Sequence, residues 1–262
     1  MPAAPLIAYT NVGKTFDAGR VVAVDDVSLE VAEGEFLAVV GGSGSGKTTL
    51  LRLANRLIEA DSGSITVEGE DISHADPIGL RRRIGYVFQS GGLFPHLSVA
   101  GNIGITPKLT GTPPAEISAR VDELLDLVRL DRAQFRDRLP HELSGGQRQR
   151  VGVARALAAK PRIVLMDEPF GALDPLTRDA LGDDFRELHR TLGLTTVMIT
   201  HDMTEAILLA DRIAVMRAGK LLAQGTPSKL SESGDAYVGE LLRTPRRQAE
   251  RIGALLPQHG AA

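Results

Sequence analysis

Glu35-Phe36-Leu37-Ala38-Val39-Val40-Gly41-Gly42-Ser43-Gly44-Ser45-Gly46-Lys47-Thr48 opens as an apolar run, breaks into glycines and ends in Lys-Thr. Its second half, Gly41 to Thr48, matches the G-x-x-x-x-G-K-[ST] phosphate loop. The context is the one that motif needs: a predicted strand (residues 35–40) before it and a predicted helical stretch (residues 49–58) after it. Glycines let the backbone wrap around a phosphate so that successive N–H groups point inward, and a helix N-terminus adds partial positive charge. Gly41, Gly42, Ser43, Gly44, Ser45 and Gly46, with Lys47, Thr48 and Thr49, are therefore the candidate nucleotide-binding residues. Lys47 is the candidate for the β and γ phosphates, and the Thr48 hydroxyl is a candidate ligand of Mg²⁺.

Working outward, short apolar runs recur at residues 84–88, 163–166, 196–200 and 213–216, several of them separated by helical patterns. That alternation predicts an α/β fold with a mostly parallel central sheet. Residues 6–31 differ. They alternate polar and apolar residues with Gly13 and Gly19 in turn positions, which predicts antiparallel strands, as does the stretch 64–68. Two helices are legible. One is capped by Asp174, starts at Pro175, repeats Leu181, Phe185, Leu188 and Leu192 on one face and ends at Gly193. The other runs from about residue 115 to 128.

The run Ile163 to Met166 ends in Asp167-Glu168, and chain direction places that end on the sheet edge that carries the phosphate loop. Acids at strand ends are often merely solvated; beside a phosphate loop the pair reads as catalytic. Adjacent side chains on an extended strand point oppositely, so the two need different roles. Asp167 suits the Mg²⁺ shell, and Glu168 suits the water that attacks the γ-phosphate. His201 follows another apolar strand on the same edge; the alternative there is a histidine that caps the helix starting near Met203.

Composition narrows the classes. The 262 residues are 43% apolar with a net charge of −3, enough for a sizeable core and no electrostatic invitation to nucleic acid. The absence of cysteine excludes disulfides, thiolate metal sites and Cys nucleophiles. The N-terminus lacks the pattern of a signal peptide, and no apolar stretch approaches the ~20 residues of a membrane span. A soluble chain that reaches a membrane only through a partner is expected.

Leu143-Ser144-Gly145-Gly146-Gln147 discriminates among phosphate-loop enzymes. Ser144 can cap a helix that begins at Gly145 and offer bare N–H groups to a phosphate. On this motif the chain resembles the ATP-binding cassette (ABC) family, whose signature is LSGGQ. The resemblance extends from Phe16 to about Gly225 and implies further roles. Phe16 matches the aromatic that stacks on adenine, and Gln89 the residue that touches Mg²⁺ and water and links to the membrane partner. Ala172-Leu173-Asp174 matches the D-loop, and His201 the switch histidine that acts with Glu168. It also implies ATP and Mg²⁺ as cofactors, and a head-to-tail dimer in which Ser144, Gly145, Gly146 and Gln147 of one copy meet the phosphate loop of the other. Transmembrane permease subunits, an indirect solute-binding protein and a place on the cytoplasmic face of the cell membrane follow in the same way.

Within the family, Asn55-Arg56-Leu57-Ile58-Glu59, Gly85-Tyr86-Val87-Phe88-Gln89 and Gly92-Leu93-Phe94-Pro95-His96 resemble ATPases of osmoprotectant importers. These serve glycine betaine, choline and carnitine. Position 42 is Gly where the family often has Pro or Ser. The expected organisation is a nucleotide-binding domain over residues 5–228, a helical subdomain near 90–159 and a short helical tail over 229–262, read as a solvated helix. The regulatory cystathionine-β-synthase modules of some osmoprotectant ATPases are not expected. The rival readings are an ABC ATPase for another cargo (polyamine, amino acid or sulfonate) or a small exporter, a non-transport ABC ATPase, and a nucleotide-binding regulator without turnover. That last reading is expected to lack Glu168 or His201, and both are present.

Overall fold

The computed structural model describes residues 4–255. A six-stranded sheet carries the site. It comprises β3 (Phe36–Val40), β6 (Ile84–Val87), β7 (Ile163–Asp167), β8 (Thr195–Thr200), β9 (Arg212–Arg217) and β10 (Lys220–Gly225). The order is β10-β9-β3-β8-β7-β6, and every neighbouring pair is parallel except the edge pair β9–β10. A four-stranded antiparallel sheet lies apart, made of β1 (Ile7–Phe16), β2 (Val21–Val31), β4 (Ser62–Val67) and β5 (Glu70–Asp71) in the order β2-β1-β4-β5. The helices are α1 (Lys47–Ala54), α2 (Pro77–Arg83), α3 (Val99–Ile103), α4 (Ile105–Leu109), α5 (Pro114–Leu127), α6 (Arg132–Phe135) and α7 (Gly145–Leu157). They continue with α8 (Pro175–Leu192), α9 (Met203–Leu209), α10 (Pro227–Ser231) and α11 (Ala236–Leu255).

The central strands are buried on both faces, which is why they read as continuous apolar runs. Period-2 alternation then divides their side chains between two cores. Leu37, Val39, Leu165, Val197 and Ile199 pack with α1 and the antiparallel sheet. Phe36, Ala38, Val40, Met166 and Met198 pack with residues of α7, α8 and α9.

Sequence and structure differ in three local ways. The helix after the phosphate loop ends at Ala54 rather than near residue 58, because Arg56 turns into the left-handed region at φ 52°. Gly13 lies inside β1 at a register shift rather than in a turn; a Cβ there would lie 2.5 Å from Ser62 Oγ, so the strand crossing selects it. The tail is anchored at its start: Val238 in α11 is fully buried, while most of the helix beyond Leu242 is exposed. The long helix α8 matches its expected cap and ends, with the Asp174 carboxylate accepting from Thr177 N–H at 3.0 Å and Gly193 left-handed at φ 61°.

Candidate nucleotide site

Residues 41–46 leave β3 and enter α1 as a loop that other segments press from outside. Gly46 has φ 100°, and a Cβ there would lie 2.1 Å from the Ala23 carbonyl oxygen of β2, so only glycine fits. Lys47 is 6% exposed, and its ammonium donates to the carbonyls of Gly41 (2.8 Å) and Gly42 (3.0 Å). Burial draws its pKa below the ordinary lysine value, and the negative charges of Glu168 and Asp167 act in the opposite sense. Ser45 is buried and Thr49 half-buried, while Gly42, Ser43 and Gly44 face solvent.

The acids sit where the strand order requires. The Thr48 hydroxyl donates to Asp167 Oδ1 at 3.4 Å, across from the end of β7. This hydroxyl and carboxylate form the kind of hard oxygen pair that Mg²⁺ takes, the remaining positions being filled by phosphate and water.

Glu168 leaves the strand in the left-handed region at φ 44°, its N–H donating to Ile199 O at 3.0 Å. A non-glycine residue held there is an uncommon, strained choice of the sort that gathers at functional sites. The turn directs its carboxylate to His201, with 3.2 Å between Oε2 and Nδ1. His201 caps nothing; Asp202 is the N-cap of α9, accepting from Thr204 N–H at 2.7 Å. Behind it, Thr200 donates to the buried Glu205 carboxylate at 2.7 Å and accepts from Asp202 N–H at 3.0 Å, fixing the segment.

Gln89 begins a 3-10 turn just beyond β6, the strand beside β7. Its side chain is exposed, and no hydrogen bond joins it to Thr48 or Asp167 among the described residues. The turn itself is bolted to α7. Arg155 donates to the carbonyls of Gly91 (2.9 Å) and Gly92 (2.8 Å), and Gln149 donates to Phe88 O at 3.3 Å. Phe16 is 38% exposed and pairs with Val21, two residues before the Ala23 that backs Gly46.

Ser144 caps α7 reciprocally with Gln147: Ser144 N–H donates to Gln147 Oε1 at 2.9 Å and Gln147 N–H to Ser144 Oγ at 3.3 Å. A Cβ at Gly146 would lie 2.5 Å from Thr177 Cγ2, so α7 starts hard against the start of α8, next to Asp174. Among the described residues no hydrogen bond of Ser144, Gly145, Gly146 or Gln147 reaches the phosphate loop of the same copy.

Two residues at the site were not singled out for it by sequence reasoning. The Tyr86 hydroxyl donates to Asp167 Oδ2 at 3.2 Å, and burial pushes this phenol up, so it stays a neutral donor. Arg52 of α1 lies 3.7 Å from the same carboxylate oxygen. A tyrosine in a buried strand needs a partner for its hydroxyl, and that was the available signal; Arg52 carried none.

The family model described as "ABC transporter" matches residues 24–171. The chain is 50% identical over 92% of its length to the Choline transport ATP-binding protein OpuBA of Bacillus subtilis (strain 168), covering 63% of that protein. It is 51% identical over 85% of its length to the Glycine betaine uptake system ATP-binding protein YehX of Escherichia coli (strain K12), covering 71% of it. The chain thus spans roughly two-thirds of the length of these curated relatives. Among solved structures, a dimeric ATP-binding cassette in a post-hydrolysis state, bound to ADP and Pi, superposes with a TM-score of 0.75 at 32% identity, over 84% of this chain and 98% of that one.

Proposed function

Because the chain belongs to the ABC transporter family, we propose that it binds and hydrolyses ATP to drive a membrane importer for quaternary-amine osmoprotectants such as glycine betaine or choline. The observation that carries the ATPase reading is the convergence on one sheet edge of the Lys47 loop, the Thr48–Asp167 pair and the Glu168–His201 pair.

In this reading the loop N–H groups and Lys47 take the polyphosphate, and Phe16 stacks on adenine. Thr48 and Asp167 would hold Mg²⁺, with Gln89 as a further candidate ligand, and the ion would supply charge neutralisation on the polyphosphate. Glu168 orients and deprotonates the attacking water, and His201 steadies Glu168 and faces the γ-phosphate. The α7 N-terminus, capped and opening on two glycines, would cradle phosphate, and among the described residues no hydrogen bond joins it to the phosphate loop of its own copy. It therefore serves a second copy, with Asp174 beside it at the joint. A two-fold axis makes that contact twice and encloses two ATP molecules. A solved cassette of the same fold is dimeric, which supports the pairing of two copies.

Residues 90–159 are the segment we assign to the permease. A groove of about 430 Å³ where this segment meets α2 and β6 is lined by Arg81, Phe88, Phe94, Leu109 and Arg155. Phe88, Phe94 and Leu109 are large apolar side chains left exposed, the composition of a protein-docking face. Asn102 stiffens it: fully buried, it accepts from Phe94 N–H (2.8 Å) and donates to the carbonyls of Phe94 (3.1 Å), Leu97 (3.0 Å) and Ser98 (3.0 Å). Since Arg155 ties that groove to α7, movement of the permease is passed both to Gln89 and to the Ser144 cradle. No helix among the described residues is long and apolar enough to cross a membrane. In this reading the chain works on the cytoplasmic face through this contact. A solute-binding protein delivers the cargo from the other side.

Uptake of labelled glycine betaine and choline in source cells tests the cargo, comparing wild type with Lys47→Ala at high and low osmolarity. Saturable uptake should disappear in the variant. Unchanged uptake, with redundant systems deleted, would remove the osmoprotectant reading and leave the ATPase reading in place.

A further inference from the structure

The phosphate loop contains four glycines, Gly41, Gly42, Gly44 and Gly46, and a chain so free loses much entropy when a ligand orders it. Its outer side is braced by residues far along the chain. Gly219 N–H, in the β9–β10 turn, donates to Ser45 O at 3.1 Å. Gly41 passes so near the Met216 carbonyl oxygen that a Cβ would stand 2.2 Å from it. Gly42 N–H donates to the Tyr237 hydroxyl of α11 at 3.0 Å.

Tyr237 is itself well fixed. The Asp235 carboxylate accepts from the N–H groups of Tyr237 (2.8 Å) and Val238 (3.0 Å), capping the start of α11. Val238 is fully buried, and the Arg217 guanidinium lies 4.7 Å from the Tyr237 ring centre. The same helix packs on α9, which begins two residues after His201. One helix thus touches the phosphate loop directly and the His201 segment through its neighbour.

We propose that Tyr237 is a positioning residue for nucleotide binding, holding Gly42 and the mouth of the phosphate loop in the form that receives the polyphosphate. This rests on the ATPase reading. Proline at position 42 would stiffen its own backbone and has no N–H to give. Glycine there has the donor but no stiffness, and the Tyr237 hydroxyl supplies the missing restraint before the ligand arrives, which is how preorganisation raises affinity.

The test is titration of the full-length chain with Mg-ATP, combined with steady-state kinetics, for Tyr237→Phe in two backgrounds. Against wild type, loss of one ordinary hydrogen bond should weaken Mg-ATP binding by about fivefold. KM should rise by a similar factor, with kcat within about twofold of wild type and the melting temperature unchanged. Against Gly42→Pro, which has no N–H to donate and sets its ring Cδ toward the hydroxyl, Tyr237→Phe should not weaken binding further. Gly42→Ser keeps the donor and should remain sensitive to Tyr237→Phe. Wild-type affinity in Tyr237→Phe would overturn the proposal, as would an equal loss in the Gly42→Pro background, which would mark a merely structural role. A wild-type chain that binds no Mg-ATP would overturn the ATPase reading on which the proposal stands.

Discussion

Replacing Glu168 with glutamine should lower steady-state ATP turnover by about 10²-fold or more while leaving ATP binding intact. Glutamine keeps the shape and still accepts a hydrogen bond, so the left-handed turn at φ 44° and the approach of His201 survive. What disappears is the negative carboxylate that, in the proposed function, takes the proton from water. Lys47 also gains from that charge, which opposes the effect of its burial, but Asp167 provides a second negative group. Phosphate binding should therefore persist. The expected product is an ATP-loaded chain that cannot proceed, measured as retained nucleotide after gel filtration with little phosphate released. Normal turnover in this variant would remove Glu168 from the role of base.

Lys47→Ala should be at least as damaging, for a different reason. The ammonium is nearly inaccessible and is held by the carbonyls of Gly41 and Gly42, inside the loop that is to receive the phosphates. Its removal takes away the charge that the proposed function assigns to the β and γ oxygens, where preorganised donors typically contribute about 10²–10³ in rate. Both binding and turnover should fall, unlike the Glu168 variant, where only turnover falls. Calorimetric titration with Mg-ATP beside a phosphate-release assay separates the two. Native-like circular dichroism would show that the loss is not one of folding, and near-normal turnover would contradict the placement of Lys47 on the phosphates.

Much of this was legible in the residues because the rules involved are local. A phosphate loop between strand and helix, acids at the end of a parallel strand, and Asp174-Pro175 before a helical repeat each state their geometry in a few consecutive positions. The reciprocal cap of Ser144 and Gln147 could be read in part: the serine and its helix were plain, and the closing bond from Gln147 came with the structure. What escaped was set by distant segments. Gly13 is fixed by Ser62 across a strand pair, and the end of α1 by a backbone turn at Arg56. The Tyr86–Asp167 bond depends on β6 lying next to β7, an order that the run of strands along the chain does not reveal. The Tyr237–Gly42 contact spans 195 positions, and nothing near either residue announces it.

In the proposed assembly two copies share each ATP, the phosphate loop of one facing the Ser144 cradle of the other. Light scattering on the Glu168→Gln chain with Mg-ATP tests it, with and without Ser144→Arg in the same chain. The Glu168→Gln protein should run at about twice its 27.9 kDa mass when ATP is present. The doubly substituted chain should stay single while still binding ATP, because its phosphate loop is untouched and only the cradle offered to the partner is blocked. A Glu168→Gln chain that remains single at saturating Mg-ATP would contradict the shared site. So would a double variant that pairs just as well.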